Sequence, residues 1–341
     1  MKAQLLTQIS SAEHRPLELV DWPIPQPQSG EILVKVAACG VCHTELDEIE
    51  GRIRPRLPII LGHEIVGRVV ALGSAVTRFK IGDRVGVAWI HSACGRCSFC
   101  KEGRENLCPE FEGTGCQANG GYAEYTVVSA DFAYLIPDRF TDCEAAPLLC
   151  AGAIGYRALN LTGLADGQIL GLFGFGASAH IVIQVVKHSY PRARVFVFTR
   201  PGQKHHQDLA GKLGADWVGA TGEMPPAKLN SAIDFTPAWQ PMVEALRVLQ
   251  PGGRLVINAI RKEAGDRDHL RELDYATHLW QEKEIKTVAN ITRQDAAQFL
   301  PLAAEIPIIP QVQEFKLEEA NEALLQLKQG KIQGAAVLRM D

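Results

Sequence analysis

The 341-residue chain contains no apolar run that approaches the ~20 residues a membrane-spanning helix needs, so no membrane partner is expected. It also lacks an excess of either charge. The 39 acidic and 35 basic residues leave a net charge of −4, which gives no bulk electrostatic pull toward nucleic acid or an anionic membrane. Internal repeats, low-complexity tracts and charged tails are absent. The opening stretch, MKAQLLTQISSAEHRPLELVDWPIP, holds no apolar core of signal-peptide length. A cytoplasmic location is therefore expected, with the nine cysteines reduced or bound to metal. At 46% hydrophobic and 22% charged residues the composition is that of a soluble globular protein, long enough for two domains.

What is present in abundance is local. Cys94, Cys97, Cys100 and Cys108 fall within fifteen residues at C-x2-C-x2-C-x7-C spacing. Four thiolates so close suit a tetrahedral Zn2+ with no open position, which is a structural site. Two local disulfides or an iron–sulfur cluster would use the same residues, although reduced thiols disfavour the first. Lys101, Glu102, Arg104 and Glu105 make the stretch polar, as expected of a surface lobe.

Around this lobe the first third reads as short β segments punctuated by Gly and Pro, including strands at 31–37, 65–72 and 120–128. The pattern predicts a β-rich barrel. A helical segment is expected to start near Asp142 and to include Cys150–Leu159. Strands at 168–173, 194–199, 231–235 and 255–259 then alternate with helices at 180–187, 203–213 and 242–249. Such βαβ units imply a parallel sheet. A strand at 285–290, helices at 294–304 and 317–327 and a strand at 335–338 complete the chain. The 255–259 strand is expected at a sheet edge, where it could pair across subunits.

Gly174-Phe175-Gly176-Ala177-Ser178-Ala179 lies between an apolar strand and an amphipathic helix. The first Gly permits a tight turn, the second lets backbone N–H groups approach a pyrophosphate, and the small Ala179 allows close helix packing. The anion would sit on the helix N-terminus. An NAD site places Asp or Glu on the next strand to bind the 2′-hydroxyl. This chain offers Thr199 and Arg200 there, with Lys204 nearby, a set that suits a 2′-phosphate and favours NADP(H) over NAD(H). Stacking of Arg200 on adenine in an NAD site is the alternative. Asn258 and Asn290, in two later strand segments, are further candidates for cofactor contact.

Cys42, His63 and Cys150 offer Cys2His, which with an open fourth position is a catalytic zinc arrangement. Taken alone, they could equally be buried thiols and a core histidine. The wider set of motifs resembles the zinc-containing medium-chain alcohol dehydrogenases over essentially the whole length. The motifs are Cys39-Gly-Val-Cys42-His43-Thr44, Gly62-His63-Glu64-x-x-Gly67, Gly82-Asp83-Arg84-Val85, the four-cysteine lobe, Gly120-Gly-Tyr-Ala-Glu-Tyr, Cys150-Ala-Gly and the glycine turn. The resemblance implies that Cys42, His63 and Cys150 hold catalytic zinc, and that Cys94, Cys97, Cys100 and Cys108 hold structural zinc. Thr44 would hydrogen-bond the alcohol and begin its proton relay, Glu64 would tune the metal from behind, and His43 would contact cofactor phosphate or remain a solvated surface residue. Many relatives carry a histidine where Asp47 stands; Asp47 is then either a weaker proton acceptor or a surface charge. Trp89, joined by Ile53, falls where the family lines its substrate pocket, with packing in the barrel core as the alternative for Trp89. Cys39, Cys116 and Cys143 match no ligand position.

The implied fold is α/β: a GroES-like β-rich catalytic domain over 1–152 and 291–341, and a doubly wound, parallel-sheet Rossmann domain over 153–290. The implied activity is hydride transfer between a primary alcohol or aldehyde and NADP(H), in a protein with two zinc ions per chain that assembles as a homodimer or homotetramer. An NAD-dependent member, or one with a polyol or cinnamyl-type substrate, on the same scaffold is the nearest rival. A zinc-ribbon nucleic-acid module would need a basic face that the acidic balance does not supply. The Cys42–His63–Cys150 set argues against a zinc-free quinone reductase or a non-catalytic nucleotide sensor.

Overall fold

The computed structural model describes residues 1–306, 308, 310–332 and 334–340. The chain divides into two units, Met1–Cys150 with Ile291–Asp341, and Ala151–Asn290. The boundary thus falls two residues before the one expected from sequence.

The eleven-residue strand Glu31–Val41 is the spine of the first unit. Along one side it pairs antiparallel with Ile65–Leu72. Along the other its neighbour changes midway: Glu31–Lys35 pairs with Tyr125–Ser129, and Ala38–Val41 with Ala335–Arg339. Arg84–Val87 and Ala133–Leu135 extend the sheet on one side, and Val312–Lys316 on the other. A smaller sheet joins Lys2–Leu6, Leu17–Asp21 and Ile59–Ile60. Inward-facing aliphatic residues such as Ile32, Val34, Ile65, Val69 and Val85 are fully buried and form a single core with Leu6, Ile49 and Tyr122. The architecture is the expected β-rich one.

In the second unit six strands lie parallel. Across the sheet they run Trp217–Ala220, Arg194–Thr199, Ile169–Phe173, Leu229–Asp234, Leu249–Ile257 and Glu284–Thr287. Counted along the chain this is the order 3-2-1-4-5-6 of a doubly wound dinucleotide-binding sheet, which reverses direction between Ile169–Phe173 and Leu229–Asp234. Ile169–Phe173 is buried at every position, as a central parallel strand must be.

Two expectations are corrected. Leu249–Ile257 is not an edge strand, because Glu284–Thr287 pairs parallel outside it and is exposed throughout. Nor does one helix run from Asp142 through Cys150. The Asp142–Ala145 helix tightens into the 3-10 turn Ala146–Leu149, and the Ala151–Thr162 helix begins only after Cys150. Pro147 at the start of that turn has no N–H with which to continue an α-helical ladder.

No helix among the described residues is long and apolar enough to cross a membrane.

Candidate metal centres and cofactor site

The spine strand ends at Val41 and delivers Cys42 as the N-cap of the His43–Ile49 helix. Cys42 Sγ accepts from Thr44 N at 3.5 Å and lies 3.6 Å from Thr44 Oγ1. His63 and Glu64 arrive just before Ile65–Leu72, and Cys150 caps the 3-10 turn. One donor atom from each of Cys42, His63, Glu64 and Cys150 lies within 4.8 Å of the others. The two sulfurs are 3.9 Å apart, matching the roughly 3.8 Å edge of a tetrahedron built on ~2.3 Å Zn–S bonds. Two sulfurs, an imidazole and a carboxylate form a donor set suited to Zn2+.

Glu64 therefore stands among the donors themselves, closer than the supporting position expected of it. Its side chain crosses Gly40, where a Cβ would overlap the Glu64 carboxylate and come within 2.8 Å of Glu64 Cβ. Burial pushes the Glu64 carboxyl up, and the Cys42 sulfur adds to the shift. The neighbouring Cys150 thiol holds Cys42 well below its ordinary value, and Cys42 in turn, with burial, holds Cys150 above.

The residue missed from sequence is Glu45. One of its carboxylate oxygens meets His63 Nδ1, and the other accepts the Cys42 N–H at 2.9 Å. With Nδ1 engaged, Nε2 is the ring nitrogen left for a metal. Burial alone would depress His63, but the Glu45 carboxylate and the Cys42 sulfur hold it well above the ordinary imidazole value. A helix-start pattern, an acidic residue three positions after the cap, is the signal that could have found Glu45.

Asp47 is not a surface charge. It is buried and pairs with Arg52, which also bonds Glu50. Lys328 joins Glu50 at 2.6 Å to Glu13 at 2.8 Å. His43 is exposed. The Trp89 ring stands edge-on to His63 with centroids 5.1 Å apart, and the half-buried Ile53 donates its N–H to Asp47 O at 3.1 Å.

In the lobe Cys94, Cys97, Cys100 and Cys108 form a second donor cluster, with Cys94 and Cys100 Sγ 3.9 Å apart. All nine cysteines are free thiols. Backbone N–H groups point at three of the sulfurs, from Cys97 to Cys94 at 3.4 Å, Cys100 to Cys97 at 3.5 Å and Glu110 to Cys108 at 3.4 Å. The backbone N–H groups of Arg96 and Cys97 lower Cys94 to about 6, whereas burial raises Cys100 to about 12. Lys101, Glu102 and Arg104 are solvated, but Glu105 is buried and anchors the lobe by accepting from Arg293 N at 2.6 Å and Nε at 3.1 Å. Cys39, Cys116 and Cys143 are buried outside both clusters.

In the second unit Gly174 adopts φ +82° and donates its N–H to Phe198 O at 2.8 Å. Phe175 is buried, while Gly176 and Ala177 are exposed. A Cβ at Gly176 would meet nothing within 4 Å, so its backbone faces open space that a ligand can approach. The Ala179–Ser189 helix begins without a side-chain cap at Ser178, leaving its N-terminus suited to an anion, and Ala179 is fully buried. Thr199 departs from expectation. It is 1% exposed, and its hydroxyl donates to Arg200 O at 3.2 Å and accepts from Gln207 Nε2 at 3.0 Å, so it is no free phosphate donor. Arg200 and Lys204 are exposed, and no carboxylate occurs from 199 to 204. Asn258 N bonds Asp234 O at 2.8 Å, and Asn290, with φ +62°, ends the unit.

Residues 28–138 match the family model described as alcohol dehydrogenase GroES-like domain. The chain is 44% identical over 329 residues to "Probable alcohol dehydrogenase AdhA" of Mycobacterium tuberculosis, covering 95% of this chain and 92% of that one. It is 34% identical over 350 residues to an alcohol dehydrogenase of Geobacillus stearothermophilus, covering 100% and 99%. Among solved structures, a cinnamyl alcohol dehydrogenase of Sorghum bicolor superposes with a TM-score of 0.86 at 26% identity, covering 99% of this chain and 97% of that one.

Proposed function

The chain belongs to the zinc-type medium-chain alcohol dehydrogenases, and on that basis we propose that it moves hydride between a primary alcohol, aliphatic or aromatic, and NADP(H), with one catalytic and one structural Zn2+ per chain. The observation that carries this reading is the convergence of Cys42, His63, Glu64 and Cys150, from three separated stretches of sequence, on one cluster of donors. When bound, Zn2+ supplies Lewis acidity toward the substrate oxygen and the dinucleotide supplies the hydride acceptor or donor.

The chain's own residues do the rest. Cys42, His63 and Cys150 would hold the metal, with the Glu64 carboxylate a further donor within its reach. Glu45 fixes the tautomer of His63. Thr44 Oγ1 is the hydroxyl that takes the alcohol's proton, and Asp47, one turn along the same helix, is the acceptor beyond it. Trp89, flat and beside His63, with Ile53, forms an apolar wall for the substrate's tail, and likeness to an enzyme named for cinnamyl alcohol supports an aryl substrate. The 174–179 turn takes the pyrophosphate, with Asn258 and Asn290 as further cofactor contacts. Arg200 and Lys204 take the 2′-phosphate without help from Thr199. Four thiolates at 94–108 hold the structural metal. Nine free cysteines suit the reducing cytoplasm.

The exposed Glu284–Thr287 edge suits a second copy of the chain. Antiparallel pairing about a two-fold axis at Ile285 sets each Glu284 opposite the other copy's Lys286, giving a homodimer that could in turn associate as a tetramer.

Turnover of NADPH and NADH over a panel of alcohols and aldehydes, with metal analysis, tests the reading. An NADPH preference that survives Arg200→Asp would refute the cofactor assignment. Retention of full zinc content after Cys42→Ser would sink the catalytic centre.

A further inference from the structure

Two segments at the C-terminal edge of the parallel sheet are laced together beside the glycine turn. Asp234 ends its strand fully buried, and its Oδ1 accepts from Thr236 N at 2.9 Å and Thr236 Oγ1 at 2.8 Å. Lys262, beyond the next strand, brings its ammonium to Asp234 Oδ2 at 2.5 Å, Ala238 O at 2.7 Å and Thr236 O at 2.9 Å. Three acceptors satisfy all three ammonium donors. Main-chain and indole bonds continue the lacing, from Glu263 N to Pro237 O and from Trp239 Nε1 to Glu263 O, both at 2.8 Å.

The laced segment is a wall of the glycine turn. Phe235 N donates to Phe173 O at 2.9 Å, on the last residue of the strand that enters the turn. A Cβ on Gly174 would lie 2.8 Å from Thr236 Cγ2. Thr236 is therefore held by Lys262 from one side and packs on the turn from the other. The two strands that end here are the pair at which the sheet order reverses, the place where such sheets bind dinucleotides.

We infer that Lys262 is a positioning residue of the dinucleotide site: its three-point hold on Asp234, Thr236 and Ala238 fixes the wall against which the pyrophosphate-binding turn is shaped. The inference rests on the dinucleotide reading given above. Arg200 follows the strand on the opposite side of Ile169–Phe173. Lys262 thus governs affinity for the diphosphate common to NADPH and NADH, and not the choice between them.

The test uses the full-length enzyme and Lys262→Met, assayed below the melting temperature of each protein. KM for NADPH and for NADH should both rise by a similar factor of about ten, with kcat unchanged. Inhibition by ADP-ribose should weaken in parallel, while inhibition by adenosine 2′-phosphate, which lacks the diphosphate, should not. Unchanged KM values, or a rise for NADPH alone, would overturn the inference. If Lys262→Met fails to fold, Asp234→Asn carries the test, with a smaller rise of both KM values expected and none overturning it. A wild-type enzyme that binds neither dinucleotide would overturn the functional reading, and this inference with it. Wild-type binding matched by Lys262→Met overturns the inference alone.

Discussion

Glu45 and His63 meet carboxylate to imidazole with both side chains sealed from solvent. The same carboxylate accepts the N–H of Cys42, so one buried acid orients two members of the donor cluster. Glu45→Gln is expected to lower zinc affinity by roughly 10–100-fold, as removal of such a supporting partner does. Titration with a chromophoric chelator would read it, and unchanged affinity would show that Glu45 is only a helix cap.

Gly40 has no room for a methyl group, because Glu64 lies across it. Gly40→Ala should cost about 1–3 kcal/mol in urea unfolding, the usual cost of overpacking. Combining it with Glu64→Ala should recover part of that loss, since the two sites are in contact. Strict additivity of the two substitutions would count against the packing account.

The lobe should lose its metal independently of the cluster around Cys42. Cys97→Ser is expected to remove about one zinc per chain and to leave the protein heat-labile, because a structural site contributes folding energy outright. Metal content by mass spectrometry and the melting temperature check this together.

Burial holds both His91 and His180 below the ordinary 6.5. A histidine depressed in the folded state takes up its proton first in the unfolded chain, so its contribution to stability is intact above about pH 6.5 and is lost as the pH falls. The slope is at most about 1.4 kcal/mol per pH unit for each ring. Melting temperatures across this range should fall toward acid, and His180→Gln should flatten the profile.

Ile285 is half-exposed at the free edge of the parallel sheet. Ile285→Asp would place two carboxylates face to face on the proposed two-fold axis. Light scattering should then report half the wild-type mass or less, whereas an unchanged mass would move the interface elsewhere.

Much of the chain was legible in sequence because its signals are local. The four cysteines of the lobe lie within fifteen residues, and the strand–glycine–helix pattern at 168–187 announces its own geometry. What escaped depends on contacts between distant segments. Asp47 could be read as a proton acceptor or as a surface charge until Arg52 folded back on it, and Thr199 as a phosphate contact until Gln207 reached its hydroxyl. Glu105 sat among charged neighbours, and only Arg293, 188 residues away, explains its burial. The true sheet edge was hidden for the same reason. Glu284–Thr287 carries no strong apolar pattern, so its place outside Leu249–Ile257 follows from topology alone.

The change of neighbour along Glu31–Val41 bears on how the protein is made. The half of that strand nearest Cys42 is completed by Ala335–Arg339, which leaves the ribosome only after all of Ala151–Asn290 has been synthesised. Until then the Cys42 end of the spine is an open β edge, an invitation to mispairing. A strand made after the intervening unit thus closes a sheet begun before it.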